Sequence, residues 1–336
     1  MTKNINTAFS DFLREVVNLD SDDTATARED RDKLRERVQG LQSSVANFPT
    51  LYVEADINFG SFSRRTKKRP LDDVDMFFCM MSEGATYLDS GSDELIVTVN
   101  DSSSNLYQYT NDDNKALNSI KVLNKFKKSL EGIYQYRSSE VNRSKEAVVL
   151  DLNNKDWSFD LVPCFRTAEV NGKDFYLIPD GRGAWKKADP RIDKDRVTRI
   201  NKAHSGNVLD VIRIVKYWNK RATMPSMGSY LLENIILNFY DAKIFVASSY
   251  IDIELPSVFL HIRDSIYSAV PDPKGFQADL NDLSLEDREK IWDRANLDYT
   301  RAIDARSLEA KSTSGTHKEC MEKWAEIFGP EFPDYG

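Results

Sequence analysis

The sequence predicts an α+β fold, with a mixed-sheet lobe followed by a helical C-terminal lobe. Three observations carry this prediction. Apolar residues alternate with polar ones in several short runs before about residue 195. Beyond it they recur at three- and four-residue spacing instead. Stretches rich in Ser, Asp, Asn and Gly punctuate the first part and are scarcer in the second. Side chains repeat every two residues along a strand and every 3.6 along a helix, so a change of period marks a change of element. Strands followed by helices, without strict alternation, point to segregated layers. The expected division is 1–195, a sheet lobe with N-terminal helices, and 196–336, a helical lobe. No internal repeat is visible.

Phe9, Phe12, Leu13, Val16 and Val17 fall on one helical face, as do Leu34, Val38, Leu41 and Val45 further on. This predicts an amphipathic N-terminal helical region packed on the body. Leu51, Val53, Ala55, Ile57 and Phe59 alternate with Tyr52, Glu54, Asp56 and Asn58, the pattern of a half-buried strand ending at Gly60-Ser61. A basic run, Arg64-Arg65-Thr66-Lys67-Lys68-Arg69-Pro70, leads to a second strand over Val74 to Met80. Residues 82–114 read as a surface excursion around a short strand, Leu95 to Val99. Leu117, Ile120, Leu123, Phe126, Leu130, Ile133 and Tyr134 suit a long helix. Val148 to Leu152 and Trp157 to Pro163 form a strand pair about a turn at Asn153–Asp156, and Phe175 to Ile178 is one more strand. In the helical region, elements are expected over Val208 to Arg221, from Ser229 through Phe239, from Ser284, where Ser284 and Asp287 have capping-box spacing, and around Met321 to Phe328, ending at Gly329-Pro330.

The chain has 336 residues, 40% of them hydrophobic, enough for a sizeable core. Its net charge of −8 argues against a protein that coats long nucleic acid, which needs a basic face. A pocket for a few nucleotides needs only local Lys and Arg. The three cysteines, Cys79, Cys164 and Cys320, are scattered, as expected of reduced core thiols. His204, His261 and His317 lie equally far apart, which disfavours structural zinc. The polar start, Met1-Thr2-Lys3, has no signal-peptide character, and no segment approaches the ~20 apolar residues of a membrane span. A cytoplasmic protein with no membrane partner is the expectation.

The chemistry concentrates in Gly60-Ser61 and Asp72-Asp73-Val74-Asp75. On a strand, Asp73 and Asp75 point to the same face. Two carboxylates so placed repel each other, and a divalent cation relieves the conflict. Mg²⁺ is the natural candidate, because it binds through one or two carboxylates together with substrate phosphates. Asp160, between Phe159 and Leu161 in a later strand, supplies a third carboxylate where β propensity disfavours one. Three carboxylates suit a two-metal site, with two Mg²⁺ ions or Mn²⁺ in their place. Gly60 would let backbone N–H groups approach a phosphate, and the Ser61 hydroxyl adds a donor. An isolated Gly-Ser is an ordinary turn, and an isolated Asp-x-Asp can be a solvated strand end. The combination is far more specific than its parts.

That combination resembles the signature of the nucleotidyltransferase superfamily. More of the chain is similar to its cGAS/DncV-like branch (the CD-NTases). Val211-Ile-Arg-Ile-Val-Lys216 resembles the helix whose lysine contacts donor phosphates there. Ser229-Tyr230-Leu-Leu-Glu233 resembles a motif whose serine touches phosphate and whose tyrosine stacks on a base. Lys323-Trp324 through Gly329-Pro330 also resembles bacterial members. The resemblance implies a polymerase-β-like nucleotidyltransferase fold. It implies synthesis of a cyclic di- or trinucleotide from NTPs, ATP and GTP foremost, with pyrophosphate released, in antiphage defence. Catalytic and metal roles then fall on Asp73, Asp75 and Asp160, and nucleotide or phosphate contacts on Gly60, Ser61, Lys216, Ser229 and Tyr230. A regulatory protein partner is left open. The residues themselves also admit a solvated basic face at Arg213, Lys216 and Lys220, an N-cap at Ser229 and a core tyrosine at 230. The pattern departs from the family at Arg65, where a glycine is common, and the basic run Arg64 to Arg69 is left without an assigned role. The alternatives are a template-independent nucleotidyltransferase acting on RNA or protein, and a non-catalytic nucleotide sensor.

Overall fold

A computed structural model describes residues 4–89, 91, 93–112, 115–222, 225, 227–311 and 313–336. The opening residues 1–3, and positions 90, 92, 113 and 114 of the expected surface excursion, lie outside the described residues. In chain order the elements are α1 (Ile5–Phe12), α2 (Ser21–Ser44), β1 (Ile57–Phe59), α3 (Gly60–Ser63), β2 (Asp73–Cys79), β3 (Thr86–Leu88), β4 (Ile96–Thr98), α4 (Ser119–Glu131) and β5 (Glu140–Ser144). There follow β6 (Ala147–Asp151), β7 (Ser158–Arg166), β8 (Tyr176–Pro179), β9 (Trp185–Ala188) and, among the described residues, six helices. These are α5 (Pro190–Ala203), α6 (Val208–Asn219), α7 (Ser229–Ala242), α8 (Ile251–Ser265), with α9 (Leu285–Glu309) and α10 (Ser314–Phe328) completing the chain. Among the described residues no helix is long and apolar enough to cross a membrane.

The chain divides into two compact units, and they are not contiguous lobes. A sheet unit comprises Asp22–Ser63 and Leu71–Ile192, and a helical unit comprises Met1–Ser21, Arg64–Pro70 and Asp193–Gly336. The last crossing between the two units falls between Ile192 and Asp193. The first helix and the basic run, however, belong with the helical unit. The reason is packing: Ile5, Ala8, Phe9, Phe12 and Val17 lie in one buried cluster with Val211, Trp218, Trp324 and Phe328. Phe9 meets Trp324 edge-on at 4.9 Å between ring centroids, a favoured aromatic geometry. The expected N-terminal helical region is thus two helices serving different cores, since Leu34, Val38 and Leu41 of α2 are buried in the sheet unit.

In the sheet unit the strands run β1-β2-β7-β6-β5, with β8 on the far half of β7 and β9 beside β8. β2 and β7 are parallel, while the other pairings are antiparallel. A separate hairpin pairs β3 with β4. β2 and β7 lie at the centre, and their apolar residues beyond the first few positions are buried on both faces, as a covered parallel pair requires.

One expected strand is largely absent. Of Leu51–Phe59 only Ile57–Phe59 pairs as a strand, while Val53–Ala55 forms a turn of 3₁₀-helix and Leu51 makes an isolated bridge to Met80. The Asp56 carboxylate takes the place of a backbone partner, accepting from the Cys79 N–H at 2.7 Å and from Gln39 at 2.8 Å. That side-chain bond satisfies the neighbouring strand and lets the chain coil. All three cysteines are free and buried.

Candidate nucleotidyl-transfer site

In the sheet unit, strand register gathers the acidic residues. β2 and β7 run parallel with Asp75 opposite Asp160 and Asp73 opposite Ser158. Neighbouring strands lie about 4.8 Å apart, so carboxylates far apart in sequence become lateral neighbours. Alternation places them on one face: Asp73, Asp75, Ser158 and Asp160 are partly exposed, while Val74, Met76, Phe159 and Leu161 are buried. Further along the strands, aromatic packing closes the accessible face. Phe59 lies 4.2 Å from Phe77, and Phe77 lies 5.4 Å from Tyr176. The Tyr176 hydroxyl donates to the Ala55 carbonyl at 3.0 Å. The carboxylates therefore occupy the open end of an otherwise covered sheet.

Gly60 begins the turn after β1 with a φ of +71°, in the left-handed region. A Cβ at this position would stand 1.7 Å from Asp75 Oδ2. The backbone reaches the carboxylate only because residue 60 has no side chain. Ser61 follows it within α3, half-buried, and Ser63 fixes the turn by donating to the Asn58 carbonyl at 2.9 Å.

The donor set fits a hard divalent cation: every donor is a carboxylate oxygen, and Gly60, having no side chain, leaves room beside the Asp75 carboxylate. Among the described residues no three acidic, imidazole or thiol groups, the expected set of Asp73, Asp75 and Asp160 included, come together closely enough to hold a metal ion. The fit thus rests on donor chemistry and register.

Lys216, Ser229 and Tyr230 lie in the helical unit. Lys216 is not on a solvated basic face: it is 5% exposed on α6. Its ammonium sits 2.5 Å from Glu233, itself 1% exposed. Glu233 also accepts from Arg64 Nε at 2.7 Å and from the Thr66 hydroxyl at 2.9 Å. Burial pushes the Glu233 carboxyl up, but Lys216 and Arg64 outweigh it and hold the group at about 2, below its ordinary 4.5. Ser229 is exposed at the first position of α7, and the N-cap is Gly228 rather than Ser229. Ser284, by contrast, caps α9 as its spacing predicts, accepting from the Asp287 N–H at 3.1 Å.

Tyr230 is half-buried, and its hydroxyl donates to Asp193 at 2.6 Å. The Lys274 ammonium bonds the same hydroxyl and lies over the ring, 4.2 Å from its centroid, so one face of the aromatic surface carries a cation. Asp272 pairs with Lys274 at 3.1 Å. Burial and Asp193 push the phenol well up, so Tyr230 stays a neutral donor.

Thr66, Asp193, Glu233 and Lys274 were not singled out from sequence. A signal existed for Glu233. It is a lone charge among Leu231, Leu232, Ile235 and Ile236 on a helix, and such a charge is buried only when paired.

A pH dependence follows. The Glu233 group binds its proton more weakly folded than unfolded. Its contribution to stability is therefore complete above about pH 4.5 and is lost as pH falls through about 2. Thermal unfolding of the wild type should fall across that window, and Glu233→Gln should flatten the fall. Equal slopes would count against the pairing.

No family model matches the chain. A probable cyclic nucleotide synthase of Bacillus cereus (strain VD146) is 42% identical over 342 residues, an alignment that covers 100% of this chain and 99% of that protein. Among solved structures, the Vibrio cholerae DncV cyclic AMP-GMP synthase matches with a TM-score of 0.69 at 12% identity, covering 99% of this chain and 98% of that one. CdnC of E. coli MS115-1, solved with ATP, matches with a TM-score of 0.68 at 16% identity, covering 98% of each chain. CdnC in its complex with HORMA-deltaN gives 0.67, again at 16% identity and 98% of each chain. At such identities the likeness to solved structures carries the fold.

Proposed function

The chain belongs to the cGAS/DncV-like nucleotidyltransferases and is a cyclic nucleotide synthase, and from that premise we propose that Asp73, Asp75 and Asp160 are the carboxylates that run its reaction. The observation that carries this assignment is the β2–β7 register, which sets Asp75 beside Asp160. The reaction joins nucleoside triphosphates. A ribose hydroxyl oxygen bonds to the α-phosphorus of a second nucleotide, the α–β phosphoanhydride bond breaks, and pyrophosphate leaves. A second such transfer closes the ring of a dinucleotide, and a trinucleotide takes one further coupling before it closes.

Divalent cations held by the three carboxylates, two Mg²⁺ ions or Mn²⁺ in their place, would neutralise the triphosphate and ease loss of the hydroxyl proton. Asp73 and Asp75 serve the triphosphate and Asp160 the attacking hydroxyl. Gly60 brings backbone N–H groups towards a phosphate, and Ser61 adds a hydroxyl donor. In the helical unit, Lys216 and Ser229 bind phosphate. Tyr230 offers its ring to a base, which every base can stack on, so it orients more than it selects. Catalysis of this kind is positioning together with charge stabilisation. ATP and GTP are the proposed substrates, in line with the ATP bound by CdnC and the cyclic AMP-GMP made by DncV.

The test is mass spectrometry of products from all four NTPs with Mg²⁺, alongside pyrophosphate release. A small phosphatase-resistant product is expected. Label appearing only on RNA or protein, or no pyrophosphate from any mixture, would remove the assignment.

A further inference from the structure

The basic run from Arg64 to Arg69 has no role in the reaction as described, and its contacts show where its charge goes. Within the helical unit, Arg64 donates to Glu233 through Nε at 2.7 Å, and Thr66, with no exposure, donates to the same carboxylate at 2.9 Å. The carbonyl of Arg65 accepts from Arg213 at 2.6 Å. Arg69 donates to the carbonyls of Asn18 at 3.0 Å and Glu15 at 2.8 Å. The Arg64 and Arg69 side chains are turned towards protein acceptors.

The carboxylate at the centre of this arrangement has a second function in reach. Glu233 Oε2 accepts from both Thr66 and Lys216, the latter at 2.5 Å. Lys216 also donates to the Thr66 carbonyl at 3.2 Å. One buried anion on α7 thus ties together two cations and a hydroxyl drawn from α6 and the basic run. Its single charge against the two of Arg64 and Lys216 leaves the cluster with a positive excess. A buried Lys keeps its proton, and a fixed position, only where an anion and acceptors hold it.

We propose that Glu233 is a positioning residue for the nucleotide reaction, holding the Lys216 ammonium charged and in place and anchoring the Arg64–Thr66 segment beside it. This rests on the reading of Lys216 as a phosphate-binding residue. Glu233 touches no substrate. Its effect is on how well the triphosphate is held, more than on the chemical step.

The experiment compares the wild type, Lys216→Met, Glu233→Gln and the double variant in the full chain, with ATP and GTP as substrates and Mg²⁺ present. KM and kcat are taken from pyrophosphate release, and thermal unfolding is recorded in parallel. Glu233→Gln should raise KM about ten-fold while changing kcat much less, and the double variant should be no worse than Lys216→Met alone, since coupled residues are not additive. Glu233→Asp, which keeps the charge, should recover part of the loss. If Glu233→Gln lowers the unfolding temperature but leaves KM unchanged while Lys216→Met raises it, Glu233 is structural only, and the Lys216 reading survives. Fully additive KM effects would likewise overturn the proposal. If Lys216→Met leaves KM at the wild-type value, the phosphate reading fails and takes this proposal with it. Should Glu233→Gln not fold, Thr66→Val carries the same comparison. It is close in shape, removes one donor from the carboxylate and leaves all charges in place. It should raise KM several-fold, and an unchanged KM overturns the proposal.

Discussion

Asp75→Asn is expected to abolish measurable pyrophosphate release while the protein remains folded. The substitution preserves shape and removes one negative charge. Asp75 stands opposite Asp160 in the parallel register, and its carboxylate meets the Gly60 backbone. It is therefore the residue common to both parts of the sheet-unit site. Losing one well-placed electrostatic group at a reacting centre costs on the order of a hundred- to a thousand-fold in rate. A residue that also organises its neighbours should sit at or beyond the upper end. Stability should change little or rise, because a like charge is taken from a face where acidic groups are adjacent. The comparison is kcat/KM for ATP and GTP against the thermal unfolding temperature. Asp73→Asn and Asp160→Asn should behave alike, and double variants should fall no further than single ones, as groups acting together do. A wild-type rate in any of the three, with fold intact, would defeat the carboxylate assignment.

Much of the arrangement behind that expectation is legible in the chain. Short apolar runs bounded by turn residues give β2, β6 and β7 nearly to their ends. Helical spacing gives α4, α6, α7 and α10, and the cap at Ser284 gives the start of α9. Each of these buries mostly apolar residues at regular spacing, so the pattern survives in one sequence. The segment at 51–56 misleads because alternation is only a burial pattern. Its coil is set by Asp56 bonding the Cys79 N–H, a contact that no local spacing encodes. Helix α8 escapes notice because Pro256 interrupts its pattern. Proline in a helix interior normally breaks it.

The candidate site divides in the same way. Asp73 and Asp75 announce themselves by spacing, and Asp160 by standing in a strand that should not favour it. What pairs Asp160 with Asp75 is register, a tertiary quantity. Lys216 looks like part of a basic helical face, yet the charge that buries it comes from Glu233, seventeen positions away in sequence, and from the 64–66 segment. The role of the basic run is invisible locally for that reason. Five basic residues in six positions suggest a surface, and only the fold shows Arg64 and Arg69 spent on internal acceptors.

Gly60→Ala should be almost as damaging to activity as Asp75→Asn, and for a reason that can be separated from folding. The added methyl carbon would lie 1.7 Å from Asp75 Oδ2 and 2.5 Å from its Cγ, closer than any non-bonded contact. The backbone at residue 60 also has a φ of +71°, which a residue with a Cβ adopts at a cost of about 1–3 kcal/mol. That cost lowers stability modestly. The collision acts elsewhere: relieving it means turning the Asp75 carboxylate away or backing the turn off the strand. Either movement separates the Gly60–Ser61 backbone from the carboxylate it faces. A hundred-fold loss or more in kcat/KM is expected, on the scale of losing the electrostatic group outright. Ser61→Ala, which removes one hydroxyl and leaves the turn alone, should cost far less. Combining Gly60→Ala with Asp75→Asn should add little to Asp75→Asn alone, because both changes disable the same contact. Near-wild-type turnover in Gly60→Ala would mean that the close approach at Gly60 is incidental, and the phosphate-cradle role of the turn would have to be withdrawn.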